Sequence, residues 1–235
     1  MPINKLKKEP SVMDEKQIGV RLIDWKIPVF TVLILMTGSC LFAFSRAQKA
    51  IEEVKKAVPR FAEVVPGIYR CGLLQEDVAP YLKEMGVKTV LSFHDDRTIA
   101  KDEESFLKDS GINMVWLPLQ GFDRPSDDLT EKALKLMSTS ELQPVLVHCK
   151  RGAERTGLIV GLYRIKYQKW TAEQARQEMK TFGFREFWYG HLKQYLYDYA
   201  KKQASQNVQP IGFWEELKIN TLYYLYKVKK LNPFD

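Results

Sequence analysis

Val147-His148-Cys149-Lys150-Arg151-Gly152-Ala153-Glu154-Arg155-Thr156-Gly157 is the stretch on which the reading of this chain turns. Just before it, Pro144 to His148 (PVLVH) is short and almost wholly apolar, as a central strand covered on both faces should be. Just after it, Thr156 to Gln168 is a long apolar run of helical length. A buried strand therefore delivers a cysteine, five residues follow, and an arginine stands where a helix begins. Five residues can curl so that successive backbone N–H groups point into one concavity, and the helix adds its own N-terminal N–H groups and the positive end of its dipole. That environment binds a phosphate dianion and favours the thiolate of a cysteine at its base. Arg155 supplies a planar fork for two phosphate oxygens and for charge that develops in a transition state. Gly152 permits the tight turn that a side chain would obstruct.

Outward from this loop, the pattern is alternating α/β. Gly67-Ile68-Tyr69-Arg70 reads as a short strand and Glu76 to Met85 as a helix stopped by Gly86. Lys88 to Phe93 (KTVLSF) reads as a β-branched strand, Lys101 to Lys108 as a helix stopped near Gly111, and Ile112 to Leu117 (INMVWL) as a further strand. Asp128 to Met137 is helical, and Thr171-Ala172-Glu173-Gln174 is a capping box that opens another helix. Such alternation implies a central, mainly parallel sheet flanked by helices.

The loop and its setting resemble the cysteine-dependent protein-tyrosine-phosphatase superfamily, whose signature is H-C-x5-R-T-G. The order of elements is similar to the compact dual-specificity branch, and Pro66-Gly67-Ile68-Tyr69-Arg70-Cys71-Gly72 is similar to an opening seen in bacterial members. The resemblance covers roughly residues 61–205. It implies that Cys149 attacks phosphorus to form a phospho-cysteine, that Arg155 holds the phosphoryl oxygens, and that Thr156 donates a hydroxyl hydrogen bond to the thiolate. His148 is expected behind the loop, fixing its shape. Lys150, Arg151, Gly152, Ala153 and Glu154 complete the phosphate-binding loop. The resemblance also implies a general acid, an aspartate on a loop after the preceding strand. Gln120-Gly121-Phe122-Asp123-Arg124-Pro125-Ser126-Asp127-Asp128 lacks a Trp-Pro-Asp tripeptide. Asp123 stands nearest the strand end and is the choice; Asp127 and Asp128, which open a helix, are the alternatives, as is the absence of an acid.

Substrate class stays open at this level. Lys150 and Arg151 make the mouth basic, which suits the several phosphates of an inositol polyphosphate or phosphoinositide; a phosphorylated protein, tyrosine- or dual-specificity style, fits equally. Arg97, at a strand end on the same side of the sheet as Cys149, is a further candidate phosphate contact. Tyr69 and Arg70 are candidate supports of the loop. The aromatic segment Thr181 to His191, with Arg185, either walls the pocket or plugs the space between helices.

Ile27 to Ser45 is 19 residues without a charge. As a helix it would be roughly 28 Å long, close to bilayer thickness. The expected organisation is a basic tail (1–26), a single transmembrane helix (27–45), a juxtamembrane helix or linker (46–60), the phosphatase domain (61–205) and a C-terminal amphipathic helix (206–235). Six Lys/Arg precede the span and five follow it up to Arg60, which barely favours a non-cytoplasmic catalytic domain. The C-terminal helix is expected to dock through Trp214, Leu217, Leu222 and Leu225, with the membrane surface as its other resting place.

The chain has 235 residues, 45% hydrophobic and 12% aromatic, which excludes a disordered polymer. Three cysteines make no disulfide framework, and His94, His148 and His191 are too far apart in sequence for zinc-ligand spacing, so no metal or cofactor is implied. The net charge of +7 suits anionic partners, but no nucleic-acid-binding motif accompanies it. A non-catalytic phosphate-binding scaffold has little support with Cys149, Arg155 and Thr156 all present, and the Arg155-Thr156-Gly157 ending argues against a rhodanese-type sulfur transferase.

Overall fold

The computed structural model describes residues 45–203 and 211–229. The basic tail and all but the last residue of the expected span fall outside the described residues; among those described, no helix is long and apolar enough to cross a membrane.

Helix α1 covers residues 45–57. Strands β1 (Ala62–Val65) and β2 (Ile68–Cys71) form an antiparallel pair, and β2 then runs parallel to the strand that leads into the signature loop. Helices α2 (Ala79–Glu84) and α3 (Arg97–Asp109) flank β3 (Thr89–Ser92), and β4 (Asn113–Trp116) follows α3. Helix α4 (Asp127–Ser138) leads to β5 (Val145–His148), and the chain finishes with α5 (Glu154–Gln168), α6 (Ala172–Thr181), α7 (Gly190–Gln203) and α8 (Phe213–Lys229). The sheet order is β1-β2-β5-β3-β4, with every pair parallel except β1 with β2. β5 is central, between β2 and β3, so both of its faces must be apolar; all four of its residues are buried.

Side chains alternate across this sheet as strand geometry requires. Val90 and Leu146 pack to one side with Ala50, Val54, Leu82 and Leu107 from α1–α3. Leu91 and Val147 pack to the other with Leu134, Leu158, Leu162 and Leu196 from α4, α5 and α7. Each fully buried Val or Leu among these contributes about 1.5–3 kcal/mol of transfer free energy. The helix buried on nearly all sides is α5, which accounts for its apolar sequence. Its N-terminus is thereby pinned under the end of β5, where the loop must close.

Two details depart from the expected organisation. β1 has no signature in the sequence: it is a four-residue edge strand with one buried side chain, too short to show alternation. Helix α8 docks, but of the four expected side chains Leu222 alone turns inward. Ile219 is buried and Leu222 half-buried, whereas Trp214 is 77% exposed and Leu217 and Leu225 are close to half exposed. Polar contacts reinforce the docking: Lys193 Nζ meets Glu215 Oε1 at 2.6 Å, and Gln194 Nε2 donates to Glu216 Oε1 at 3.2 Å.

Candidate active site

Three segments at the carboxyl ends of parallel strands enclose one open cleft of about 430 Å³. After β3 come His94, Asp95 and Asp96; after β4, Gln120 to Asp123; after β5, Cys149, Lys150 and Arg151, with Glu154 and Arg155 from the first turn of α5. Arg185 and Tyr189, from the segment between α6 and α7, complete the wall.

Cys149 is buried at the base, and the Gly152 N–H donates to its Sγ at 3.3 Å. Gly152 has φ +71°, and a Cβ there would meet the Cys71 carbonyl oxygen at 2.5 Å, so only glycine fits this turn. The loop is braced from behind by two arginines. Arg70, buried in β2, donates from Nη2 to the Gly152 carbonyl at 2.8 Å and lies 3.8 Å over the Phe182 ring. Burial pulls its guanidinium down to about 10. Arg60 donates to the Arg151 carbonyl at 3.1 Å and to the Phe182 carbonyl at 2.8 Å.

Among the described residues Arg155 is anchored through Nη1 alone, which donates to Asp95 Oδ1 (2.7 Å), the Leu119 carbonyl (3.0 Å) and the Phe93 carbonyl (3.2 Å). Burial works against the charge on both partners, but their attraction wins: Asp95 is held below the usual carboxylate range, and Arg155, with the Cys149 and Asp95 charges beside it, is raised. Glu154 is buried and accepts from Arg151 and, at 3.0 Å, from Arg185 Nε. The acid in the loop thus ties two basic walls together rather than facing outward. Lys150 is exposed at the mouth.

His148 is fully buried at the end of β5, and burial pulls it down to about 3, so it is a neutral imidazole. Its carbonyl accepts from the Phe93 N–H at 2.9 Å, fixing the strand end against β3. Thr156 is buried, and its Oγ1 has no hydrogen-bond partner among the described residues, so the expected bond to the cysteine is not formed in this arrangement. Ala153 is buried as the residue that caps α5.

Among the candidate acids, Asp123 lines the cleft; Asp127 and Asp128 are not among the residues that do. Asp127 faces α7, accepting from Tyr195 Oη at 2.9 Å and Lys202 Nζ at 2.7 Å. Asp123 Oδ1 accepts from Tyr223 Oη at 3.3 Å and is ion-paired with Lys227, both on α8. Arg97 is exposed and lies outside the cleft lining, a correction to the expected phosphate contact: Asp96 caps α3 at Thr98 and Ile99, which turns Arg97 outward on the first turn. The aromatic segment does both jobs considered for it. Phe184 is buried as a plug, while Tyr189 stacks on Phe122 at 4.7 Å and lines the cleft. Asp95 and Arg60 are partners of the loop that the sequence does not mark, since a carboxylate and a basic residue in loops carry no sign of the contact that they make.

Residues 57–221 match the tyrosine phosphatase family, and the chain belongs to it. It is 36% identical over 120 residues to the dual specificity protein phosphatase TpbA of Pseudomonas aeruginosa, covering 51% of this chain and 52% of that protein. It is 32% identical over 126 residues to the inositol diphosphatase DSP1 of Oryza sativa subsp. japonica, covering 52% and 56%. The catalytic domain of the PP-IP phosphatase SIW14 from Saccharomyces cerevisiae, solved with citrate, superposes with a TM-score of 0.55 at 29% identity, over 64% of this chain and 94% of that one. The chain spans about half the length of the curated relatives it matches.

Proposed function

We propose that this chain is a phosphatase that hydrolyses phosphate monoesters at Cys149 through a phospho-cysteine intermediate. The observation that carries the reading is the placement of Cys149 and Arg155 at the base of one cleft, with the Gly152 amide on the sulfur and the arginine fork anchored by a single nitrogen. Nε and Nη2 of Arg155 form the opposite edge of the guanidinium and can grip two phosphoryl oxygens. Cys149 Sγ, as thiolate, attacks phosphorus; the P–O ester bond breaks, and Asp123 gives its proton to the departing oxygen. Water then attacks phosphorus, its proton passes to Asp123, and the S–P bond breaks, so that the thiolate leaves and inorganic phosphate forms. His148 and Thr156 support the loop; Lys150, Arg151, Gly152, Ala153 and Glu154 shape it. No metal ion or cofactor takes part.

The leading substrate reading is a phosphorylated protein, in the manner of tyrosine and dual-specificity phosphatases. A second reading, an inositol polyphosphate or phosphoinositide, is favoured by Lys150, Arg151 and Arg185 at the mouth and by the relatives that bear the name inositol diphosphatase. The uncharged run 27–45 supports a single-pass membrane anchor. Turnover by the full chain of phosphotyrosine peptide, phosphothreonine peptide, inositol hexakisphosphate and phosphoinositide vesicles tests the reading. Hydrolysis of any, lost in Cys149→Ser, supports it; no hydrolysis of any refutes it.

A further inference from the structure

A second ionisable cluster lies under the signature loop, out of contact with the cleft. Glu103 sits mid-way along α3 in a stretch, Lys101-Asp102-Glu103-Glu104, that reads as a solvated face, yet it is 1% exposed. Its Oε2 accepts from Ser92 Oγ of β3 at 2.9 Å and stands 3.5 Å from His148 Nε2 of β5. Among the described residues both ring nitrogens of His148 lack a hydrogen bond, an expensive state for a buried imidazole. The remaining groups that act on this pair are the buried thiol of Cys71 on β2, His94 after β3 and Arg155 on α5.

We infer that Glu103 is a positioning residue of the phosphatase site, sharing one proton with His148 and so fixing the strand end from which Cys149 projects. The inference rests on the phosphatase reading above. The residue touches no substrate: it acts through His148, which is bonded to Cys149 by the chain itself and locked to β3 by its carbonyl. With the carboxyl protonated, its O–H can donate to His148 Nε2 while Ser92 holds Oε2. Once it ionises, a negative charge is buried beneath a loop built to receive an anion. Burial pushes this carboxyl up to about 7, against the smaller pull of Ser92 and the Leu74 amide, so the change falls near neutrality.

The test is Glu103→Gln, whose amide keeps the shape and can donate to His148 but cannot ionise, beside Glu103→Asp, which keeps the acid and loses its reach. Thermal unfolding first confirms that each variant is folded. With an aryl phosphate, kcat/KM of the Gln variant should match the parent within about twofold at pH 6 and exceed it at least threefold at pH 8.5. The Asp variant should lose about tenfold in kcat across that range with KM little changed. In parallel, imidazole ¹⁵N resonances of the full chain should show His148 responding near pH 7 without taking up a proton, a response absent from the Gln variant. Parent-like pH profiles in the Gln variant, or a His148 resonance indifferent to Glu103, would overturn the inference. An inactive parent would refute the phosphatase reading instead, and the resonances would still decide whether Glu103 and His148 share a proton.

Discussion

At the level of single residues, the proposed chemistry depends on what Cys149, Arg155 and Gly152 do together. Cys149→Ser should abolish turnover of any aryl phosphate while inorganic phosphate still binds, because the backbone N–H groups of the loop remain; calorimetric titration beside a rate assay measures both. Retained turnover there, or loss of activity in the parent on adding a chelator, would exclude the cysteine mechanism. Gly152→Ala places a Cβ against the Cys71 carbonyl at 2.5 Å and forces alanine to φ +71°. Backbone strain of this kind costs about 1–3 kcal/mol, so the melting temperature should fall along with activity. Lys150 and Arg151 discriminate between substrates. Replacing both with alanine should lower kcat/KM for inositol hexakisphosphate by tenfold or more, since each charge-assisted contact is worth about 1.5–3 kcal/mol. A small aryl phosphate should change only a few fold. Equal losses on the two would mean that these side chains shape the loop and read no extra phosphates, as the Arg151–Glu154 pair already does in part.

At the scale of elements, α8 has a consequence for catalysis that its sequence did not announce. Tyr223 and Lys227 lie beyond the stretch that matches the family, and both contact Asp123. In the mechanism proposed for Asp123 their grip must loosen before it serves a leaving group. An exposed ion pair of this kind is weak and screened by solvent, so Lys227→Met should raise the rate on phosphotyrosine by only a few fold and leave esters with good leaving groups unchanged. A slower variant would show that Lys227 helps Asp123 rather than restraining it. Asp123→Asn should do the reverse of release, slowing poor leaving groups far more than good ones, as loss of a general acid typically costs 10²–10⁴-fold.

The elements also show what the sequence could and could not reveal. The apolar run of β5, the cysteine loop and the capping box at Thr171 were legible because each is a local pattern with a local cause. Thr171 Oγ1 does accept from Gln174 N, and Gln174 Oε1 from Thr171 N, as that box requires. The partners of the loop were not legible. Glu103 reads as one more charge on a polar helix, and its burial is set by which face α3 turns to β3 and β5, a tertiary fact. The docked face of α8 is illegible for a related reason: apolar and aromatic side chains ring the helix, so no single stripe marks the contact, and Ile219 with Tyr223 makes it where Trp214 and Leu217 are expected. α3 begins four residues earlier than expected because Asp96 caps it, a cap hidden inside a charged loop.

At the scale of the whole molecule, buried neutral groups set the pH range of the fold. Burial pulls His148 down to about 3 and His191 to about 4, both below the ordinary 6.5. The folded state refuses protons that the unfolded chain accepts, so their contribution is intact above about pH 6.5 and is lost as pH falls through the range towards 4 and 3. Glu103 acts in the opposite sense. Its carboxyl is raised from 4.5 to about 7, so its contribution is present at acid pH and is lost as pH rises through 7. The melting temperature should therefore fall steeply below pH 6, and Glu103→Gln should stabilise the chain more at pH 8 than at pH 5. A melting temperature flat from pH 7.5 to 4.5 would contradict this assignment of the buried groups.

A covalent phosphoryl group on one sulfur can be observed as such. The full chain carrying Asp123→Asn, mixed with an aryl phosphate that has a good leaving group and quenched within the first turnovers, should gain the mass of one phosphoryl group. Peptide mapping should place that group on the peptide that contains Cys149, and phosphorus NMR should give the resonance of a thiophosphate ester. Turnover without any such adduct, or phosphate carried on another residue, would contradict the account.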